Sequence, residues 1–257
     1  MMVRPARGPA AVILALVVSC TTWPGARQGG EPVLSSRPAR WWAVVFARSL
    51  AVPAAAQGPI QSASDRHKEG HSKLGEAFDE GPRERPSKMD GIGRTHFAIT
   101  TARPEVQDWF GQGHTLLHSY WFFEAERAFR WGVKLDPDAP MLYWGLARTA
   151  SGDRARAFMR EASKRTSRAS ARERDYIEVW EHRYAVGVEP RRAQQNFERA
   201  LEQLIVKYPG DIEAKALYAD ATMGGNRVGT ELLIRQILAA DPDHPGGHHY
   251  RIHNWDG

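Results

Sequence analysis

Histidines are concentrated at the carboxyl end of this 257-residue chain. His249 and His253 are four residues apart, so they share one face if the segment after Pro245 is a helix, which a first-turn proline favours. Asp256 lies three residues further on, on the same side. Two imidazoles and a carboxylate can bind a divalent transition metal, or one imidazole can orient the other for acid–base chemistry. The alternative is that these are surface or capping residues.

A second histidine pair, His114 and His118, has the same spacing within a segment of helical periodicity. These two rings therefore share a face of their helix. In the simpler interpretation, His118 packs beside Tyr120 or Trp121 where the helix ends. In the other interpretation, the fold brings His118 near the carboxyl-terminal histidines.

Signatures of the common enzyme classes are absent from the sequence. It contains no glycine-rich phosphate loop with its lysine, no His-Glu-x-x-His and no nucleophile elbow. The one cysteine, Cys20, excludes an intramolecular disulfide and a metal site built from several cysteines. These absences favour a protein that is not an enzyme, although a metal-dependent activity stays open.

The amino-terminal residues have the pattern of an export signal. Arg4 and Arg7 precede an apolar run at residues 10–18, which is short for a membrane span and typical of a secretory signal. The run ends in Val-Val-Ser-Cys, which resembles a bacterial lipobox. The resemblance implies that Cys20 is lipidated and attaches the protein to a membrane. The alternative is that Cys20 only ends an ordinary signal.

A second candidate signal follows the first. Arg37 and Arg40 precede an apolar run at residues 41–46, and the alanines at 54–56 are typical of a cleavage site. We therefore interpret residues 1–56 as an export leader. The expected location of the protein is the periplasm or cell envelope.

A change of composition separates a linker from the helical part of the chain. Residues 57–94 are rich in Gly, Ser, Pro and mixed charge and predict a flexible linker. Helical periodicity dominates residues 95–257, starting at Pro104, and Ser170 with Glu173 forms a capping-box pattern. No segment of strand periodicity interrupts it. The sequence predicts an all-α domain of antiparallel helix pairs.

Residues 106–139 carry large and small side chains at regular offsets: Trp109, Gly113, Leu116, Ala125, Phe129, Gly132 and Pro137. These are the offsets that a tetratricopeptide repeat (TPR), a helix hairpin of about 34 residues, needs, so the segment resembles one such repeat. The turn prolines Pro137, Pro209 and Pro242 lie 72 and 33 residues apart (209 − 137 and 242 − 209), in agreement with two repeats and one repeat. The resemblance implies a TPR-like solenoid of antiparallel helix hairpins after a disordered leader and linker.

A binding groove follows from this resemblance. In the TPR family the concave face is lined mainly by the first helix of each hairpin. In that register His114, His118, Trp144 and Arg148 face the groove. The resemblance therefore implies a scaffold that binds a protein or peptide partner.

The carboxyl-terminal segment resembles one found in a group of exported bacterial TPR proteins of unassigned biochemical role. Its form, His-Pro-Gly-x-x-His-Tyr-x-Ile-His-x-x-Asp, maps onto His244, Pro245, Gly246, His249, Tyr250, Ile252, His253 and Asp256. The resemblance makes His244 a further candidate metal ligand. Because the relatives continue with more helices, we expect the repeat domain at residues 95–257 to be incomplete at its carboxyl end.

A nucleic-acid partner is not expected. The net charge is +5, from 35 Lys and Arg against 30 Asp and Glu, which is a modest excess. A charged helix face is usually only solvated, and export removes the usual partner. The basic residues that could bind nucleic acid are Arg154, Arg156, Arg160, Lys164, Arg165 and Arg168.

Two functions therefore stay open at the level of sequence. The first is an exported scaffold that binds a protein or peptide partner in its groove, for which no cofactor is indicated with certainty. The second is a metal-binding protein or metal-dependent enzyme that holds a divalent transition metal with His249, His253, Asp256 and His244.

Overall fold

A computed structural model describes Ser72 and residues 74–256. The predicted leader, with both export signals and Cys20, lies outside the described residues, as does the first part of the predicted linker. Within the described range, no helix is both long enough and apolar enough to span a membrane.

The described part of the chain is all-α, as predicted, with nine α-helices and no β-strand. Short 3-10 turns precede α1 and α5. The helices in chain order are α1 (Pro104–His118), α2 (Phe122–Leu135), α3 (Pro140–Thr149), α4 (Gly152–Ser163), α5 (Ala171–Arg183), α6 (Pro190–Lys207), α7 (Ile212–Thr222), α8 (Arg227–Ala240) and α9 (Pro245–Trp255).

Local sequence signals set where several helices begin. A proline occupies the first turn of α1, α3, α6 and α9, where its missing N–H leaves no hydrogen bond unmade. The predicted capping box is present at α5, because the Ser170 side chain accepts from the Glu173 N–H and the Glu173 carboxylate accepts from the Ser170 N–H. The structure confirms these helix starts. They could be predicted because a helix start depends on neighbouring residues alone.

Packing brings the last helix back to the first. Consecutive helices contact one another and are joined by short connections. In addition, α1 packs on α3 and α3 packs on α5, while α9 contacts α1, α7 and α8. Tyr250 on α9 is completely buried by these contacts. The region that holds the carboxyl-terminal histidines is therefore docked on α1.

Close packing of α1, α2 and α3 depends on two glycines. Phe129 on α2 is completely buried. A Cβ atom at Gly113 on α1 or at Gly145 on α3 would lie 2.7 Å from its ring, closer than side chains pack. Both neighbouring helices therefore approach Phe129 with bare backbone.

Residues 74–94, which the sequence assigns to a flexible linker, lie against the helices. Phe78 is buried, and its ring centroid is 5.0 Å from that of Phe158 on α4. Arg130 donates a hydrogen bond to the carbonyl of Phe78, and Arg154 donates one to the carbonyl of Ala77. Phe78, the partly buried side chains of Ala77, Met89 and Ile92, and these long-range bonds attach a segment whose composition is mostly polar. This packing was not predicted.

We expect Gly113→Ala to lower the free energy of unfolding by about 1–3 kcal/mol, because the added methyl group meets the Phe129 ring. Gly111→Ala on the same helix is the matched control, since nothing lies within 4 Å of its added Cβ. That control should stabilise the protein by up to about 1 kcal/mol through helix propensity. Urea unfolding of both variants checks this, and equal effects would contradict the packing.

Candidate functional site

Glu213 lies in the first turn of α7, and its carboxylate is almost completely buried. Three completely buried imidazoles surround it. Its Oε2 is 3.0 Å from Nε2 of His118 and 3.6 Å from Nδ1 of His114. Its Oε1 is 3.3 Å from Nε2 of His244. We call these four side chains the histidine–glutamate cluster.

Three helices supply the cluster. His114 and His118 are one turn apart on α1, as their spacing predicts. His244 caps the start of α9, where its Nδ1 accepts a hydrogen bond from the N–H of Gly247 at 3.1 Å. A neutral imidazole has a single N–H, so the proton of His244 is on Nε2 and is donated to Glu213. One ring therefore caps α9 and holds the carboxylate of α7.

Two glycines let the start of α9 pack closely on its neighbours, Gly246 on α1 and Gly247 on α8. A Cβ atom at Gly246 would lie 2.6 Å from Nδ1 of His118, and one at Gly247 would lie 2.7 Å from Leu238. The Tyr250 hydroxyl, one turn later, is 2.7 Å from the same His118 nitrogen. The His-Pro-Gly-Gly sequence thus has a structural explanation: a capping histidine, a first-turn proline, and two positions with no room for a side chain.

The electrostatics of the cluster favour an ionised carboxylate. Burial lowers the pKa of His118, partly opposed by its hydrogen bond to Glu213, and burial lowers the pKa of His114 well below its ordinary value. Burial acts to raise the pKa of Glu213, but the adjacent His114 and the hydrogen bonds from His118 and His244 together lower it well below its ordinary value. The cluster therefore combines a carboxyl group of lowered pKa with two imidazoles, His114 and His118, whose pKa values are also lowered.

His114 is the least satisfied member of the cluster. Its Nδ1 lies 3.2 Å from the Thr95 hydroxyl, while its buried Nε2 has no hydrogen-bond partner. An unpaired buried polar atom costs about 1–3 kcal/mol and calls for an explanation. One ligand atom each from His114, His118 and Glu213 lie within 4.8 Å of one another, the one such group of three in the described part of the chain.

The sequence-predicted metal residues His249 and His253 form a separate pair at the surface. Their Nε2 atoms are 3.0 Å apart, and Nδ1 of His249 donates to the carbonyl of His118 at 2.6 Å. The ring of Tyr120 contacts both imidazoles, with centroids 4.6 and 5.9 Å away. Asp256 is not brought to them, since its backbone N–H ends α9 and its side chain forms no hydrogen bond among the described residues. The predicted ligand His244 belongs to the buried cluster instead.

A groove of about 670 Å³ opens beside the cluster, between the ends of α1, α3, α5 and α7 and the start of α6. Arg148 lines it, and its guanidinium carbon lies 4.9 Å from the Trp144 ring and 5.4 Å from the Trp180 ring. Its Nη1 is buried and has no hydrogen-bond partner. Burial lowers the pKa of Arg148, although nearby Tyr250 and Asp220 partly oppose this. A guanidinium nevertheless stays charged at neutral pH.

The other residues that sequence places in the groove lie behind its surface. Trp144, His114 and His118 are completely buried and do not line the cavity. The reason is that further helices cover them: the ring of Trp180 on α5 is 5.0 Å from Trp144, and Tyr250 on α9 contacts His118. Of the four, Arg148 alone lines the groove.

Sequence reasoning missed Glu213. In the sequence it is one of several acidic residues, and its position in the first turn of a helix is already explained by the helix dipole. Its role depends on contacts with His114 and His118, which lie on a different helix far away in the chain. No local pattern around Glu213 indicates these contacts.

No protein-family model, curated protein or solved structure matches this chain. The class of this protein is therefore defined by its own geometry. The described part of the chain is an all-α protein that contains a buried histidine–glutamate cluster and an adjoining groove lined by an arginine.

We expect Tyr250→Phe to lower the free energy of unfolding by about 1–3 kcal/mol, because it leaves a buried nitrogen of His118 without a partner. Tyr218→Phe is the matched control, since its hydroxyl bonds Glu202 at an exposed site and its loss should cost less than about 0.5 kcal/mol. Urea unfolding in the presence of a chelator measures both. Similar losses in the two variants would contradict a stabilising buried hydrogen bond between Tyr250 and His118.

Proposed function

We propose that this chain is a helical-repeat scaffold whose hairpins form a TPR-like solenoid. The pairs α1–α2, α3–α4, α5–α6 and α7–α8 pack within themselves, and the first helices of successive pairs contact each other from α1 to α3 to α5. Phe129 lies between Gly113 and Gly145, the small residues of two successive first helices. These features support a repeated unit that is stacked along the chain.

In this proposal the groove binds an acidic segment of a protein or peptide partner. The observation that carries it is Arg148, a cation in the groove whose Nη1 is buried and unpaired. A buried charge without a partner is costly, and a carboxylate is the natural complement of a guanidinium. The two tryptophans that flank Arg148 hold its plane in position.

The other charges of the groove agree with an anionic occupant. Arg156 and Arg183 also line it, while Asp220, the carboxylate that lines it, accepts a hydrogen bond from Tyr120 at 2.7 Å. The groove is therefore basic, and its volume falls within the range of about 300–1,000 Å³ that ligand sites occupy.

Peptide selection tests this function. A displayed library with acidic, neutral and basic members should yield acidic peptides on the full chain, and Arg148→Met should weaken the selected peptides by about 10- to 100-fold. This loss follows from removing a charge-assisted hydrogen bond while keeping the length of the side chain. Fluorescence anisotropy measures the affinities.

Arg199→Met is the matched control, because Arg199 is an exposed arginine of α6 that does not line the groove. It should leave the affinity unchanged. Arg148→Met should keep or raise the thermal stability, since it removes an unpaired buried charge. Selection without preference for acidic residues, or peptide binding that survives Arg148→Met, would exclude this function.

The second candidate function is metal binding at the surface, and it rests on the pair His249–His253. The bond from Nδ1 of His249 to a backbone carbonyl puts the lone pair of this ring on Nε2, which accepts a hydrogen bond from Nε2 of His253 at 3.0 Å; a metal would replace the shared proton. Two imidazoles can hold a transition metal if water or a partner completes the coordination.

We expect His253→Ala to weaken Zn²⁺ binding at this surface pair by at least about 10-fold, the cost of disturbing a metal site even indirectly. His248→Ala is the control, because that exposed ring contacts the carbonyl of Pro242 and not the pair. Calorimetric titration of Zn²⁺ into both variants measures the difference. Identical isotherms would remove the second candidate.

A further inference from the structure

We propose that His114, His118 and Glu213 bind one divalent transition-metal ion in the interior of the protein, and that His244 and Tyr250 orient these ligands. This site differs from the surface pair in every ligand. It also goes beyond the groove, since peptide binding at Arg148 needs no metal.

The spacing of the ligand atoms suits a small transition-metal ion. Ligands about 2.0–2.1 Å from a tetrahedral Zn²⁺ are about 3.3 Å from each other. The carboxylate Oε2 lies 3.0 Å from Nε2 of His118 and 3.6 Å from Nδ1 of His114. An ion at the centre of this group therefore requires only small movements of the side chains.

The surrounding hydrogen bonds are those of an oriented metal site. Ligating imidazoles usually bond through their second nitrogen, and ligating carboxylates through their second oxygen. Here Nδ1 of His118 lies 2.7 Å from the Tyr250 hydroxyl, and Oε1 of Glu213 accepts from Nε2 of His244. His244 is an orienting residue and not a ligand, because the bond from Gly247 to its Nδ1 keeps the proton on Nε2.

The polar contacts of His114 also agree with a cation. His114 is completely buried, and its Nδ1, the nitrogen nearest the carboxylate, has only the Thr95 hydroxyl as a hydrogen-bond partner, at 3.2 Å. A divalent ion at this position would bind the lone pair of that nitrogen together with Oε2 of Glu213 and Nε2 of His118.

The ligand set and its burial define the kind of site. Two imidazoles and a carboxylate suit Zn²⁺, Fe²⁺ and related ions, whereas Ca²⁺ and Mg²⁺ require oxygen ligands. Each ligand is at most 2% exposed, so a substrate has no access. The site is therefore structural. It joins α1 to α7 and, through His244, to α9, which are distant segments of the chain.

Metal titration of the full, tag-free chain tests the proposal with Zn²⁺ and Co²⁺ as probes. After removal of metal by a chelator, the wild-type protein should bind one buried ion and melt at a higher temperature when it is restored. Glu213→Gln should weaken that binding by at least about 10-fold. The double variant His249→Ala/His253→Ala is the matched control and should keep both the ion and the thermal shift.

Histidine nitrogen resonances of the wild-type protein give a second readout, which decides the question if Glu213→Gln does not fold. Zn²⁺ should shift the resonances of His114 and His118 and move the ring proton of His118 to Nδ1, opposite Tyr250. The proposal is overturned if neither probe binds, if only the resonances of His249 and His253 respond, or if the double variant loses the ion while Glu213→Gln keeps it.

Discussion

The buried carboxylate of Glu213 is the interaction on which the arrangement of the first and last helices depends. A carboxylate that leaves water must receive hydrogen bonds or a cation, since otherwise its burial costs several kcal/mol. Its donors come from His118 on α1 and His244 at the start of α9. The chain can therefore bury Glu213 only when α1, α7 and α9 have come together.

Bare backbone at glycines makes this arrangement sterically possible. Gly246 lets the first turn of α9 approach His118, in the same way that Gly113 and Gly145 let α1 and α3 approach Phe129. A methyl group at any of these positions would meet a neighbouring side chain closer than 3 Å. The polar cluster and the apolar core thus depend on the same feature, which is close packing of helices at glycine residues.

The two candidate sites have opposite charges and are connected through the interior. Burial lowers the pKa of Arg148, and Glu213 is one of the groups that partly oppose this, so the cation of the groove is influenced by the cluster behind it. An acidic segment in the groove would neutralise Arg148, and a metal ion would neutralise Glu213. Each ligand supplies the charge that its own site lacks, which is why the two proposals can be tested separately.

Local residue patterns are enough to predict the all-α class, the helix starts at prolines and at the Ser170–Glu173 capping box, and the shared faces of the two histidine pairs. These properties depend on residues within one or two helical turns, where backbone geometry is nearly invariant. They account for where the helices begin and for the shared face of His114 and His118 on α1.

Which of these faces meet depends on the tertiary structure. It placed His244 with Glu213 rather than with His253, left Asp256 apart, buried Trp144 behind the groove, and packed Phe78 on the helices. Such contacts join residues that are far apart in the chain, and their energies depend on burial and on the partners present at each site. A single sequence encodes these contacts through the packing of the whole domain, and no local pattern reports them.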